Sequence, residues 1–283
     1  MKLKGKGSTN FFLPVTGLML ALTGAGHAGT MGPVVTAIPN TIYLGVFGGG
    51  GASTKTDIYQ YGTAFFEEAA GGPLAVDAFG RSNSRSVGIV GGQVGYQWAE
   101  IVSNPFNSNW GLVPAFELEG YYLGKSKFTG HEINNNTTRL PEHDFLVTYP
   151  MKAGVFLANA VLNFNSAECK FRPYVGAGIG GAVISVDHAS AIQVAPPEPG
   201  VNHYSANTSD EESVFAGQVK VGTSYVFSEH ASLFAEYRWL HLAASNYTFG
   251  STVFPGHAAT SPWLVEFDSQ NYNLGAIGIR YTV

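Results

Sequence analysis

The chain has 283 residues, with 15 Lys and Arg against 20 Asp and Glu, a formal net charge of −5. This acidic balance excludes the basic footprint of a nucleic-acid binder, and a lone cysteine, Cys169, excludes an internal disulfide framework. Charged residues make up only 12%, below the roughly 25% usual in soluble domains, while 36 Gly, 19 Phe and 14 Tyr are present.

Lys2, Lys4 and Lys6 form a basic start, Phe11 to Thr23 a short apolar run, and Gly24-Ala25-Gly26-His27-Ala28 a string of small residues. That pattern predicts an export signal cleaved after Ala28. Interrupted by Pro14 and Gly17, the run is too short for a membrane anchor. Losing the three lysines leaves 12 basic and 20 acidic residues, a balance of −8. No cysteine follows the signal at the position a lipid anchor requires, so a lipoprotein is not expected.

The remainder shows no helical periodicity but eight stretches in which apolar and polar residues alternate, the signature of strands with two unlike faces. In chain order they run near Thr41–Ala52, Ser86–Ala99, Asn109–Gly124, Tyr149–Phe164, Phe171–Val186, Ser213–Phe227, Ala231–Tyr247 and Tyr272–Val283. The third places Trp110, Leu112, Phe116, Leu118 and Tyr122 on one face, with Glu117, Glu119 and Tyr121 on the other. The last places Ile277, Ile279, Tyr281 and Val283 opposite Gly278, Arg280 and Thr282. Connections at Glu100–Ser108, Asn165–Lys170 and Ser228–His230 are short. Those at Ser53–Arg85, Lys125–Thr148, Asp187–Glu212 and Asn246–Asn271 are long and polar, and read as loops.

Short turns at one end and long connections at the other, on glycine- and aromatic-rich alternating strands, predict a transmembrane β-barrel. Alternation alone also suits a soluble barrel with its apolar face inward. Aromatic placement decides between them. Trp98, Trp110, Phe164, Phe171, Phe227 and Tyr281 all lie on the apolar face beside the short turns. This is a girdle of amphipathic rings at one membrane interface. Cys169 falls in a short turn as a free thiol without a role.

Four segments resemble the eight-stranded outer-membrane barrels of the OmpA and opacity-protein superfamily: Phe116 to Gly120 (F-E-L-E-G), Arg172 to Gly180 (R-P-Y-V-G-A-G-I-G), Phe234 to Arg238 (F-A-E-Y-R) and Gly278 to Tyr281 (G-I-R-Y). Ile279, Tyr281 and Val283 are similar to the C-terminal assembly signal of such barrels, which usually ends in Phe rather than Val. The resemblance spans about Thr41 to Val283, and its motifs mark strands rather than reactive groups, so it implies a fold and a location. The peptidoglycan-binding domain of full-length OmpA is not expected.

Glu117, Glu119, Lys220, Glu236, Arg238 and Arg280 share the predicted lumen face. The inside of an eight-stranded barrel is filled by side chains, so these charges are expected to pair as a plug rather than to perform acid–base catalysis. Gly176-Ala177-Gly178-Ile179-Gly180-Gly181 spells G-x-G-x-x-G, but strand follows where a dinucleotide site needs a helix N-terminus. Its alternate glycines are expected to make room for bulky neighbours such as Tyr121 or Arg238. The segment from Tyr237 to Asn246 resembles that of lipid A deacylases, implying a His241 base and a Ser245 nucleophile on the membrane-facing side. That family spaces the two residues two apart. Here the spacing is four, about 13 Å along a strand, beyond hydrogen-bond reach unless the chain turns after Leu242. His131-Glu132 and Glu142-His143-Asp144 read as solvated loop rather than metal ligands.

The expectation is therefore all-β: an eight-stranded antiparallel up-and-down transmembrane barrel over 41–283, after a signal at 1–28 and a short periplasmic segment at 29–40. Its expected place is the bacterial outer membrane, among lipids and lipopolysaccharide, reached through the barrel-assembly machinery. The expected role is structural, with long extracellular loops mediating adhesion or other surface contacts to an unspecified ligand, and with no enzyme activity, cofactor, metal or nucleic acid. A narrow porin-like channel and a lipid A-modifying hydrolase are the alternatives.

Overall fold

The computed structural model describes residues 40–99, 110–135, 138–166 and 169–283. The expected signal at 1–28, residues 29–39 of the expected periplasmic segment and the whole of the first short turn lie outside the described residues. The strands are β1 (Thr41–Ser53), β2 (Asp57–Phe65), β3 (Leu74–Ser82), β4 (Ser86–Gln97), β5 (Trp110–Asn134), β6 (His143–Ser166), β7 (Phe171–Val186), β8 (Ser190–Ala195), β9 (Asp210–Val226), β10 (Ala231–Leu242), β11 (Ser245–Phe249), β12 (Ala259–Thr260), β13 (Trp263–Phe267) and β14 (Gln270–Thr282).

Eight of them close a ring in the order β1, β4, β5, β6, β7, β9, β10, β14, every neighbour antiparallel. Closure is made by β1, where Leu44 lies opposite Val94 of β4 on one side and Tyr281 of β14 on the other. A closed ring leaves no unpaired edge, which a strand in hydrocarbon requires. Strand parity then sorts side chains. Leu44, Val46, Val90, Val94, Leu118, Phe156, Val175, Ile179, Val219, Val221, Leu233 and Ile277 are exposed on the outside. An aqueous surface would not carry so continuous an apolar band; a bilayer matches it.

The long polar connections are not loops. They hold β2, β3, β8, β11, β12 and β13, and they lengthen β5 and β6 to 25 and 24 residues. A crossing takes about 9–11 residues, so this hairpin reaches well past the membrane. On it is built a head: β3 pairs with the upper part of β5, β2 with β3, β13 with β2 and β11 with β13, while β8 pairs with the upper part of β6. Ile58, Val76, Phe128, Phe145, Val147, Trp263, Val265 and Phe267 fill its centre. Each large apolar side chain so buried contributes about 1.5–3 kcal/mol, which turns the connections into a folded layer. Tyr149 meets Phe267 edge-on at 5.0 Å, and Tyr204 stacks on Phe249 at 4.7 Å.

Barrel and head join at a bulge. Leu123 pairs with Ala153, but the next pair is Ser126 with Met151, one extra residue on β5. Below the bulge odd residues of β5 point inward (Glu117, Glu119, Tyr121, Leu123), and above it even ones do (Ser126, Phe128, Glu132, Asn134). An inserted residue exchanges the faces of the strand beyond it.

Candidate functional site

The inward faces of four ring strands, β5, β9, β10 and β14, converge on a charged cluster at the centre of the barrel. Three carboxylates, Glu117, Glu119 and Glu236, meet three cations, Lys220, Arg238 and Arg280, and all are buried. Lys220 donates to both Glu117 and Glu119, the latter at 3.0 Å. Arg238 pairs with Glu119 and sends its Nε to Glu236 at 2.7 Å. Arg280 stands 3.6 Å from Glu117.

Remaining lone pairs are taken by neutral donors. Tyr43 donates to Glu117 at 2.9 Å, Tyr174 to Glu236 at 2.8 Å, and Asn159 to Glu117 and Glu119 at 3.4 Å each. Aromatic faces cover the guanidiniums: Phe47 lies 4.0 Å from Arg238, and Tyr43 lies 4.4 Å from Arg280. A buried charge is tolerable only when paired and fully hydrogen-bonded. The cluster pairs equal numbers of each sign, and with the Gln93 amide oxygen turned toward it Arg280 donates Nε and Nη2 to Gln93 at 3.1 and 2.8 Å.

Inward glycines let the cluster close. A Cβ on Gly178 would sit 2.0 Å from Asn159 Oδ1, and one on Gly95 would sit 2.1 Å from the ring of Tyr43. The six-residue glycine run therefore makes room for Asn159 and, at Gly176, for Lys220. The neighbours expected there were Tyr121 and Arg238; strand register sets which side chain faces which glycine.

Trp98, Phe171, Phe227 and Tyr281 are exposed on the outer face beside the short turns, with Trp110 and Phe164 half-buried on the same face. Ile279 and Tyr281 point outward from β14, opposite Val46 and Leu44, and the Val283 amide donates to Ile42. Cys169 is a free, half-buried thiol.

Two expectations need correction. Ser245 does not share a surface with His241: it begins a new strand, β11, and is buried to 1% exposure, while His241 contacts Asn271 Oδ1 at 3.0 Å and stacks on Trp239. Strand β10 ends at Leu242 and Ser245 opens β11, which pairs with β13 in the head, so the two side chains sit on different elements. The other is Glu132, which is not solvated loop. Beyond the bulge it faces the head's interior, fully buried, accepts a bond from Tyr149 at 3.0 Å, and burial pushes its carboxyl up to about 8. Tyr149 in turn meets Tyr204 at 2.7 Å. Its neighbour His131 faces out and pairs with Asp144 at 2.9 Å.

At the far end of the head lies a cavity of about 70 Å³ whose lining includes His143, Phe145, Glu198, His203, His257 and Trp263. Glu198, His203 and His257 carry no motif in the sequence, because their connections meet only through the folding of β8, β12 and β13. Burial, together with the neighbouring His257 and His143, lowers His203 to about 4, so its ring is neutral at physiological pH.

A closed antiparallel ring with an apolar belt and a filled, charge-paired interior defines a transmembrane β-barrel of the outer-membrane type. Residues 48–254 match the outer membrane protein beta-barrel domain family, and the chain belongs to it. No curated protein matches the sequence significantly. Among solved structures it is similar to Neisserial surface protein A (14% identity, 85% of this chain and 96% of that one, TM-score 0.32). It is likewise similar to the outer membrane protease OmpT from Escherichia coli (11%, 89% and 99%, 0.37) and to OprG from Pseudomonas aeruginosa (12%, 84% and 95%, 0.39).

Proposed function

We propose that this chain is a non-enzymatic surface protein, a plugged barrel that carries a rigid recognition head outside the cell. The observation that carries this reading is the head itself. Strands far longer than a crossing, with their own buried core, are needed to hold a defined surface away from the membrane and not to span it. The short turns then face the periplasm, as in barrels of this type. The charge-balanced, mutually paired cluster supports a plug: an open conduit would leave these side chains to water instead of to one another. Phe65, Val253 and Phe254 are exposed around the far connections, Val253 to 67%. A contact surface of adhesive type accounts for apolar groups held there by a rigid scaffold. In the membrane, the outward Ile279, Tyr281 and Val283 act as the assembly signal, and the six aromatics anchor the periplasmic rim among lipid and lipopolysaccharide.

The test compares cells displaying the whole chain with cells displaying a barrel in which short turns replace residues 54–85, 126–150, 187–209 and 243–269. Both are checked for heat-modifiable migration and then scored for adherence to immobilised matrix glycans and proteins. Adherence that depends on the head supports the reading. Equal adherence by both chains, or a stable ionic conductance of the intact chain in planar bilayers, overturns it in favour of a scaffold or a channel.

A further inference from the structure

The cavity at the far end of the head is lined by an unusual donor set. Glu198 follows β8, His203 lies in the connection from β8 to β9, and His257 lies in the connection from β11 to β12. His203 Nε2 stands 3.4 Å from Glu198 Oε2, and His257 Nε2 stands 3.5 Å from the same oxygen. The three donor atoms lie within 4.8 Å of one another.

Hydrogen bonding sets the tautomers. His257 Nδ1 lies 2.6 Å from the carbonyl of Ala258, so Nδ1 carries a proton and in the neutral ring Nε2 presents a lone pair. Thr252 gives its hydroxyl proton to the His203 carbonyl at 3.0 Å, and its oxygen therefore accepts from His203 Nδ1 at 3.3 Å. That leaves a lone pair on His203 Nε2 as well. Neither this nitrogen nor Glu198 Oε2 has a hydrogen-bond partner, and His203 is only 3% exposed. Two imidazole lone pairs and a carboxylate oxygen thus converge with no proton between them. Such a group is repulsive by itself and becomes favourable around a cation.

We propose that Glu198, His203 and His257 form a divalent transition-metal site, suited to Zn²⁺. Zinc bonds of about 2.0–2.1 Å in a tetrahedron put ligand atoms roughly 3.3 Å apart, and the separations of 3.4 and 3.5 Å match that edge. Mixed nitrogen and oxygen donors select a borderline metal over Ca²⁺ or Mg²⁺, which take oxygen. The Nδ1 bonds to Ala258 and Thr252 are the outer-shell contacts that orient a metal-binding imidazole. His143 lines the same cavity but is not among the three converging donors, so a water would supply the fourth ligand. The Glu198 side chain is one-third exposed and gives the ion a way in. Once bound, the metal ties the connection after β8 to the connection before β12 and locks the top of the head.

The mature chain, refolded in detergent without an affinity tag and stripped with chelator, would be titrated with ZnCl₂ by calorimetry. Bound metal would be counted after dialysis. The expected result is one Zn²⁺ per chain, weakened at least about tenfold in Glu198→Gln and in His257→Ala, with little heat from CaCl₂ or MgCl₂. Both variants must keep heat-modifiable migration; they are chosen because both positions are more exposed than His203. Co²⁺ should give visible d–d absorption in the wild type that is lost in the variants. No stoichiometric Zn²⁺, which would mean that a proton alone holds the cluster, overturns the proposal. So does Zn²⁺ binding that survives both substitutions.

Discussion

Lys220 bridges two carboxylates of the barrel interior, and its removal has a calculable consequence. Lys220→Met keeps the hydrocarbon stem but deletes the ammonium that Glu117 and Glu119 share. The interior then holds three carboxylates against two guanidiniums, Arg238 and Arg280. Breaking a buried ion pair from one side costs about 3–5 kcal/mol, because the partner stays buried and uncompensated. At about 1.36 kcal/mol per decade, the unfolding constant should rise between two and four decades. Adding Glu117→Gln restores neutrality, so Glu117→Gln/Lys220→Met should recover at least about 2 kcal/mol relative to the summed single variants. The assay is urea unfolding of protein refolded into thin bilayers, followed by the unboiled gel shift. A single substitution costing under about 1 kcal/mol, or strict additivity of the two, would refute the buried network as a coupled unit.

Other expectations concern the lumen, the head and the metal. Gly178→Val should prevent the heat-modifiable barrel from forming, since its Cβ would meet Asn159 Oδ1 at 2.0 Å, whereas Ala177→Val on the lipid face should fold normally; gel migration distinguishes them. Glu132 has a folded pKa of about 8, above its ordinary value of 4.5. The folded head therefore holds a proton that the unfolded chain loses, and the associated stability is complete below about pH 4.5 and declines as pH rises toward 8. Limited proteolysis of the head from pH 5 to 8 should quicken with pH in the wild type and show a flatter profile in Glu132→Gln; equal slopes would count against a buried, protonated Glu132. Zn²⁺ at a hundred times its dissociation constant should protect the connections around Glu198 and His257 from protease, by up to about 2.7 kcal/mol in opening free energy, and chelator should remove the protection.

The ring strands were legible because each separates two unlike environments. On β10 the outward Leu233, Tyr237 and Trp239 face lipid while the inward Glu236 and Arg238 face the lumen, so period two is written plainly. The lumen charges could be named for the same reason, though which of them touch depends on register. The head strands were not legible. β2 buries Gln60 and turns Tyr59 and Tyr61 outward, so no apolar stripe marks its inner face. β5 reverses its parity at the bulge after Leu123, which made a continuous strand read as an end followed by a loop. Ser245 leaves the face that parity along β10 predicts, because β10 ends at Leu242 and Ser245 opens β11.

By itself the sequence determined the barrel, its lipid-facing belt and the charge content of its interior, because these follow from alternation along single strands. The tertiary structure alone decided the head, the burial of Glu132, and the meeting of Glu198 with His203 and His257. Those features depend on side chains from separate connections packing against one another, and no local pattern records which distant segments will share a core.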